Sequence, residues 1–334
     1  MVLDVVKLIV SLGIILAGAE VFTNSIEWLG KKLKLGDGAV GSVFAAVGTA
    51  MPETLVPIIA IFSGGHSSAG HDIGIGAILG APFMLATLAM LVTSIAAFVK
   101  RKNNSPMNII PSAMKRDMKY FMIVYAVAIF ASFLPTWHLK LVVAVFLVCA
   151  YVYYVYKTIK SSMGEVDDDE EGPNPLYLLR KSSDPPFILV LVQLAASLAL
   201  ILFGANIFVE SVQVVASVLG VPVLILSLII TPIATELPEK FNSIIWVSRG
   251  KDTLALGNIT GAMVFQSSII PALGMLLTDW KLEPVALLSA VLAIVGILFQ
   301  FICLHGKGGL KPGHLAIGGL FYLVFIIALT NNLV

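Results

Sequence analysis

Ten long apolar runs divide the sequence and constrain its fold more than any other feature. They cover roughly residues 8–30, 39–63, 73–99, 120–134, 139–158, 186–218, 221–247, 253–278, 284–304 and 313–332. Most of them reach the ~20 residues that a helix needs to cross about 30 Å of hydrocarbon. Membrane-spanning strands would instead alternate in polarity over segments of about ten residues. The sequence therefore predicts an all-α polytopic membrane protein with ten transmembrane helices.

The charged residues indicate how such a chain is oriented. They make up only 12% of the sequence and leave a net charge of +1, which suggests no nucleic-acid partner. With ten spans, the loops after the odd-numbered spans hold seventeen Lys and Arg residues, and the opposite side holds three. Basic residues concentrate in cytoplasmic loops. We therefore expect a multi-pass protein of the cytoplasmic membrane with both termini outside; its oligomeric state stays open.

The two halves of the sequence repeat each other. At an offset of 186 residues, Leu16-Ala17-Gly18-Ala19-Glu20 matches Leu202-Phe203-Gly204-Ala205-Asn206, and Pro52-Glu53 matches Pro238-Glu239. At an offset of 181, Gly76-x-x-x-Gly80 matches Gly257-x-x-x-Gly261. A repeat unit of five spans is odd, so the second copy must be inverted in the membrane. The prediction is two inverted five-helix repeats, residues 1–158 and 185–334, joined by an acidic cytoplasmic linker at 159–184.

Each repeat carries a Pro-Glu motif inside an apolar run. The motifs are Gly48-Thr49-Ala50-Met51-Pro52-Glu53 and Ala234-Thr235-Glu236-Leu237-Pro238-Glu239. Proline has no N–H and disrupts the helix before it, so each motif predicts a broken helix with a free carbonyl oxygen. For one motif, a kinked helix whose Glu reaches the interface is an alternative; paired broken helices are typical of a transporter site.

The oxygens of these motifs predict the ligand. Carbonyl, hydroxyl and carboxylate oxygens suit hard cations, Ca²⁺ above all, and no soft ligand for zinc or copper lies nearby. Glu53 and Glu239 would together hold one divalent ion or two or three monovalent ions, and they are the predicted metal ligands. The remaining predicted ion-binding residues are Gly48, Thr49, Ala234, Thr235, Glu236 and Asn258. Thr260, Gln266, Ser267 and Ser268 on the eighth span and Thr87 on the third would add oxygens.

Polar residues on the first and sixth spans form a second pattern. Glu20, Asn24 and Glu27 share one helical face, as do Asn206, Glu210 and Gln213. These faces either pack through local hydrogen bonds or line an ion pathway. Beside the second motif, Lys240 lies four residues after Glu236, so it either neutralises that carboxylate or replaces a coupling cation.

The paired Pro-Glu motifs resemble those of the calcium/cation antiporter superfamily, whose two alpha-repeats bear Gly-Thr-Ser-x-Pro-Glu cores. The resemblance covers nearly the whole chain and is nearest to bacterial and archaeal sodium/calcium exchanger-like proteins. Ala50 and Glu236 replace the family serine, and Ala234 replaces a family glycine. The family pattern Gly-Asn-x-x-Gly-Ser-Asn on the third and eighth spans is only partly kept, with Ala77, Pro82 and Met263 at matching positions.

The resemblance implies an antiporter that exchanges Ca²⁺ for Na⁺ or H⁺ by alternating access, with no cofactor besides the transported ions. Spans 2, 3, 7 and 8 would form the ion-binding core, and spans 1 and 6 would slide as a gating pair. The alternatives are a transporter of another cation such as Mg²⁺ or Mn²⁺, an intramembrane acid–base enzyme, and a degenerate homologue that does not transport. The twofold symmetry argues against an enzyme, because catalytic acid and base need different environments.

Overall fold

The protein is helical throughout the part of the chain that the structure describes. The structure is a computed structural model and describes residues 2–33, 51–63, 68–101, 104–162, 174–180, 182, 184–306 and 308–331, among which no strand occurs. Seven helices there are long and apolar enough to cross a membrane: Leu3–Lys32, Ser68–Arg101, Trp137–Thr158, Phe187–Leu219, Asp252–Leu277, Pro284–His305 and Pro312–Thr330. An all-helical, multi-pass architecture is therefore confirmed.

The helices are numbered in chain order. They are α1 Val2–Lys32, α2 Met51–Ser63, α3 Ser68–Met84, α4 Met90–Arg101, α5 Pro111–Phe130, α6 Trp137–Ser162, α7 Phe187–Leu219, α8 Val223–Ser248, α9 Asp252–Leu277, α10 Pro284–His305 and α11 Pro312–Thr330. A π-helical turn, Leu85–Ala89, joins α3 and α4 into one long helix. Short 3₁₀ turns follow at Ala131–Phe133 and Tyr177–Leu179.

Local sequence explains several helix ends. Pro111, Pro284 and Pro312 each stand in the first turn of a helix, where a missing N–H costs no hydrogen bond. Gly220 ends α7 with φ +65°, a left-handed conformation that glycine adopts without strain. The N–H of Val221 then bonds the carbonyl of Ala216 at 3.1 Å, which completes a Schellman cap.

The fourth apolar run begins as a helix earlier than predicted. The sequence placed it at 120–134 and a basic loop before it, whereas α5 is helical from Pro111. The reason is a buried carboxylate: Asp117 accepts hydrogen bonds from the Tyr154 hydroxyl of α6 and the Thr260 hydroxyl of α9, both at 2.9 Å. These bonds hold the first turns of α5 against two neighbouring helices.

The predicted break at Pro238 is not present, because α8 runs without interruption from Val223 to Ser248. The missing N–H of Pro238 still leaves the carbonyl of Ala234 without the helical donor that it would otherwise have. The consequence is local: the proline changes one hydrogen bond and does not divide the helix. Pro52 lies in the first turn of α2, and the residues before Met51 lie outside the described part.

The apolar core of the described residues forms two large groups, beside a small third cluster of Trp28, Leu176 and Val190. The smaller one unites α1, α2 and α7, with side chains such as Ile15, Phe22, Val56 and Phe208, and reaches the first turns of α8. The larger one unites α3 to α6 and α8 to α11, with Phe83, Phe121 and Trp280 among its fully buried members. The fold therefore consists of a small helix group packed on a larger one.

The centre of the α1–α7 contact is twofold symmetric. A Cβ on Gly18 would lie 2.8 Å from Cγ1 of Ile201, and a Cβ on Gly204 would lie 3.0 Å from Cγ1 of Ile15. Residues 15 and 201, and residues 18 and 204, are both separated by the 186 positions of the sequence repeat. Both glycines thus permit the same close approach from opposite sides.

The glycines of α3 face α8. A Cβ on Gly80 would overlap the carbonyl oxygen of Leu228, and one on Gly76 would lie 2.8 Å from that of Leu224. These glycines therefore bring the third apolar run into backbone contact with the seventh, across the two halves of the chain. Gly74 does meet Ile61 of α2, but no atom of the described residues lies within 4 Å of a Cβ on Gly257 or Gly261.

We predict that Gly80→Ala destabilises the protein by roughly 1–3 kcal/mol, because the added methyl group would overlap backbone atoms of α8 that cannot move independently. The matched control is Gly13→Ala, since no atom of the described residues lies within 4 Å of a Cβ there. Thermal unfolding in detergent measures both variants. Equal unfolding temperatures for the two variants would contradict the prediction.

Candidate ion-binding site

Glu53 lies in the first turn of α2, directly after Pro52. It is only 6% exposed, and both of its carboxylate oxygens are buried. α2 packs against α3 and α7 and also touches α1, α8 and α9, so Glu53 belongs to the helix that connects the two groups. A carboxylate in this setting is expensive unless it is surrounded by partners or ligands.

Helix α8 presents a line of buried hydroxyl groups one turn apart, Ser227, Thr231 and Thr235. Ser227 donates to the carbonyl of Ile73 on α3 at 2.8 Å and lies 3.1 Å from the hydroxyl of Thr231. Thr235 donates to the carbonyl of Thr231 at 3.1 Å. Since its proton points into its own helix, the Thr235 oxygen keeps its lone pairs for another group.

Glu236 and Gln266 join α8 to α9 at the level of Thr235. Glu236 is 1% exposed and accepts a hydrogen bond from the amide nitrogen Nε2 of Gln266. Gln266 is 3% exposed, and its amide oxygen Oε1 is buried with no hydrogen-bond partner among the described residues. A buried carbonyl-type oxygen beside a carboxylate is a suitable ligand for a hard cation.

The two serines after Gln266 complete an oxygen-rich turn of α9. Ser267 and Ser268 are buried and both donate to the carbonyl of Val264, at 3.0 and 2.6 Å. Their oxygens therefore remain acceptors, like that of Thr235. Apart from the amide nitrogen of Gln266, which donates to Glu236, the side chains of this turn offer oxygen lone pairs, which matches the predicted preference for a hard cation.

Several predicted ligands cannot be placed. Gly48, Thr49 and Ala50 lie outside the described residues, as do the side chains of Ala234, Glu239 and Lys240. The backbone at Glu239 belongs to α8, three residues after Glu236. The pairing of Glu53 with Glu239 and the ion pair of Glu236 with Lys240 therefore remain predictions.

Three further residues that the sequence suggested as oxygen ligands do not join this site. Two of them donate hydrogen bonds to other groups, and the third lies farther along the axis of α9. Thr260 donates to Asp117, on the side of α9 that meets α5. Thr87 donates to the carbonyl of Phe83 at 2.6 Å, and its own carbonyl meets Gly318 of α11. Asn258 is half-buried and stands eight residues before Gln266, about 12 Å along the helix axis.

The polar face of α1 holds part of the linker. Asn24 is 5% exposed and donates to the carbonyl of Asn174 at 2.9 Å, and Glu20 accepts a hydrogen bond from the Tyr177 hydroxyl at 2.9 Å. On α7, Glu210 is exposed, and so is Asn206, which donates to the carbonyl of Leu202. Hydrogen bonds to the linker therefore explain the polar residues Glu20 and Asn24 on α1. Asn206 and Glu210 lie on the exposed surface of α7.

Sequence reasoning overlooked two buried acids. Asp117 lies among basic residues and 3.5 Å from the guanidinium of Arg116, and the tyrosine and threonine that donate to it come from distant parts of the chain. Asp252, at the start of α9, is fully buried, pairs with Arg101 of α4 and accepts the N–H of Asn108 at 2.7 Å. These partners are more than 140 residues away for Asp252, so no local pattern could reveal the contact.

The chain is similar in sequence to membrane proteins of a known family. The sequence profile of the sodium/calcium exchanger protein family matches residues 3–160 and 189–333. The sodium/calcium exchanger MaX1 of Methanosarcina acetivorans is 24% identical over 360 residues, covering 96% of this chain and 97% of that protein. Inner membrane protein YrbG of Escherichia coli is 23% identical over 305 residues, covering 91% and 89%.

Two solved structures share the fold. The crystal structure of the H⁺/Ca²⁺ exchanger CAX superposes with a TM-score of 0.75 at 17% identity, covering 98% of this chain and 82% of that one. The sodium-calcium exchanger NCX_Mj superposes with a TM-score of 0.57 at 21% identity and 98% coverage of both chains. Because the family profile extends over nearly all of both halves, the chain belongs to the sodium/calcium exchanger protein family.

Proposed function

We propose that the protein is a secondary active antiporter that exchanges Ca²⁺ for Na⁺ or H⁺ across the cytoplasmic membrane. The observation that carries the proposal is the buried Glu236–Gln266 pair, which leaves the amide oxygen of Gln266 unpartnered among the described residues beside a carboxylate. Family membership supports transport rather than enzymatic catalysis. MaX1 is named as a sodium/calcium exchanger and CAX as an H⁺/Ca²⁺ exchanger, which makes these ions the first to test.

The proposed architecture has ten crossings arranged as two inverted five-helix repeats, residues 1–158 and 185–334, with the linker 159–184 between them. The symmetric contacts of Gly18 with Ile201 and of Gly204 with Ile15 support a twofold axis between the halves. The uneven distribution of basic residues supports cytoplasmic odd-numbered loops and external termini.

In the proposed cycle, Glu53 from the first repeat and Thr235, Glu236 and Gln266 from the second bind the cation near the middle of the membrane. The predicted ligands Glu239, Thr49 and the carbonyls of Gly48 and Ala234 would complete the oxygen set. Carboxylates that hold one divalent ion also hold monovalent ions of equal total charge, which permits exchange at one site. Alternating access then requires that one helix group move relative to the other.

We predict that Glu53→Gln reduces Ca²⁺ flux to background, because the amide keeps the shape of the side chain and removes the charge that attracts the cation. The assay is radiolabelled Ca²⁺ uptake into proteoliposomes. The matched control, Glu283→Gln, changes an exposed glutamate before α10 and should leave flux at the wild-type level. Flux that survives Glu53→Gln in folded protein would overturn the proposed site.

The counter-ion is tested by imposing gradients of Na⁺, K⁺ or H⁺ on the same proteoliposomes, one at a time. We expect the Na⁺ or the H⁺ gradient to drive Ca²⁺ uptake and the K⁺ gradient to have no effect. Uptake that responds to none of the three gradients would contradict antiport. Uptake of Mg²⁺ or Mn²⁺ in preference to Ca²⁺ would keep the transporter and change its substrate.

We predict that Gln266→Leu raises the Ca²⁺ concentration for half-maximal uptake about tenfold, since the loss of one ligand of ~1.4 kcal/mol changes affinity by that factor. Gln300→Leu is the matched control. Gln300 is an equally buried amide on α10, and neither of its polar atoms has a hydrogen-bond partner among the described residues. An unchanged half-saturation in Gln266→Leu would remove Gln266 from the site.

A further inference from the structure

Gln193 lies near the start of α7, where this helix meets the last turns of α1. It is 1% exposed, and its amide nitrogen donates to Oδ1 of Asn24 at 3.0 Å and to the hydroxyl of Ser25 at 2.9 Å. The same nitrogen lies 3.3 Å from the carbonyl of Val21. One buried side chain of α7 thus reaches three polar groups within about one turn of α1.

The amide oxygen of Gln193 binds a third segment, residues 174–180, which we call the strap. The N–H of Leu178 donates to this oxygen at 2.9 Å. Asn24 and the indole of Trp28 both donate to the carbonyl of Asn174, at 2.9 and 2.8 Å. Leu176 is fully buried against Trp28 and Val190, so the strap is held by apolar contact as well as by hydrogen bonds.

Charged and aromatic contacts extend the strap along both helices. The hydrogen bond from Tyr177 to Glu20 raises the pKa of the Tyr177 hydroxyl. Beyond the strap, Lys32 at the end of α1 pairs with Asp184 just before α7, and this contact lowers the pKa of the Asp184 carboxyl. The linker is therefore fastened to the two helices immediately before it continues into α7.

The other contacts of the two helices are of a different kind. Towards α2 and α8, α1 and α7 present apolar side chains, including Phe22 and Phe208, which meet Val56 and Ile59 of α2 and Leu226 of α8. Apolar contacts are not directional, so these apolar side chains can shift past one another without losing a specific partner. Shear between α1 and α7 would instead break every hydrogen bond of Gln193 in a medium that offers no replacement.

We propose that Gln193 is a positioning residue of the exchanger, which holds the two helices of the expected gating pair, α1 and α7, to each other and to the strap. The inference rests on the proposed function and on the gating pair that the family resemblance implies; it adds the side chain that fixes the two helices to one another and the segment that is tied to them. A force on residues 174–180 would then act directly on α1 and α7. Gln193 touches no ion in this scheme and acts only through the position of the two helices.

The first test compares Gln193→Leu with wild-type protein in the Ca²⁺ flux assay. We expect a several-fold lower maximal rate and an unchanged Ca²⁺ half-saturation, because the oxygens that bind the ion lie on other helices. Gln300→Leu, an equally buried amide outside the α1–α7 interface, should retain the wild-type rate. An unchanged rate in Gln193→Leu would overturn the role of Gln193, whereas an inactive wild-type protein would overturn the proposed function and this inference with it.

The second test links α1 to α7 by a disulfide, which takes over the role proposed for the Gln193 amide. A Cβ on Gly18 would lie 3.2 Å from the backbone nitrogen of Ile201, so Gly18→Cys with Ile201→Cys is close enough for a disulfide. Cys149→Ser and Cys303→Ser remove the native thiols. Oxidation should leave transport intact and restore the rate lost in Gln193→Leu. Loss of transport on oxidation, with recovery on reduction, would show that α1 and α7 slide past each other and would overturn the proposal even if Gln193→Leu does not fold.

Discussion

A carboxylate within hydrocarbon must find its partners inside the protein, because no water is available to solvate it. The described residues meet this requirement in two ways. Asp117 and Asp252 accept hydrogen bonds from tyrosine, threonine, arginine and backbone donors, and they fasten helices to one another. Glu236 shares its environment with Gln266, whose amide oxygen keeps an unused lone pair. Asp117 and Asp252 thus hold helices together, whereas the amide oxygen of Gln266 beside Glu236 is the proposed ligand of a transported cation.

The same requirement groups the described helices into two units, and the proposed transport cycle moves one unit against the other. Gly76 and Gly80 bring α3 into backbone contact with α8, and side chains cannot be inserted between them. Gln193 holds α1 to α7 by hydrogen bonds that cannot be exchanged for water. Between these two units the contacts come mainly from apolar side chains such as Phe22 and Val56. Directional bonds within each unit and non-directional contacts between them are what alternating access demands of a structure.

Hydropathy predicts much of the helical fold, but it predicts few of the contacts that the polar residues make. The long apolar runs correctly predicted helices, and the repeat at an offset of 186 relates Gly18 to Gly204, whose close contacts only the structure shows. The early start of α5 was missed because Asp117 is stabilised by Tyr154 and Thr260, which are distant in sequence. The continuity of α8 through Pro238 was missed because local rules for proline ignore the tertiary packing on both sides of the helix. For Glu20 and Asn24 the sequence left packing and an ion pathway open, and in the structure their partners belong to the linker.

The sequence by itself determined that the chain spans a membrane, that its halves share matching motifs, and that a Pro-Glu motif beside a threonine occurs in both. These properties depend on residue type and spacing along the chain, because each membrane-spanning helix must by itself be long and apolar enough to cross the hydrocarbon. Only the tertiary structure decided which polar groups satisfy one another: Gln266 with Glu236, Asp117 with Thr260, and Gln193 with α1 and the strap. The physical reason is that hydrogen bonds join groups by position in space, and helices far apart along the chain supply the two partners.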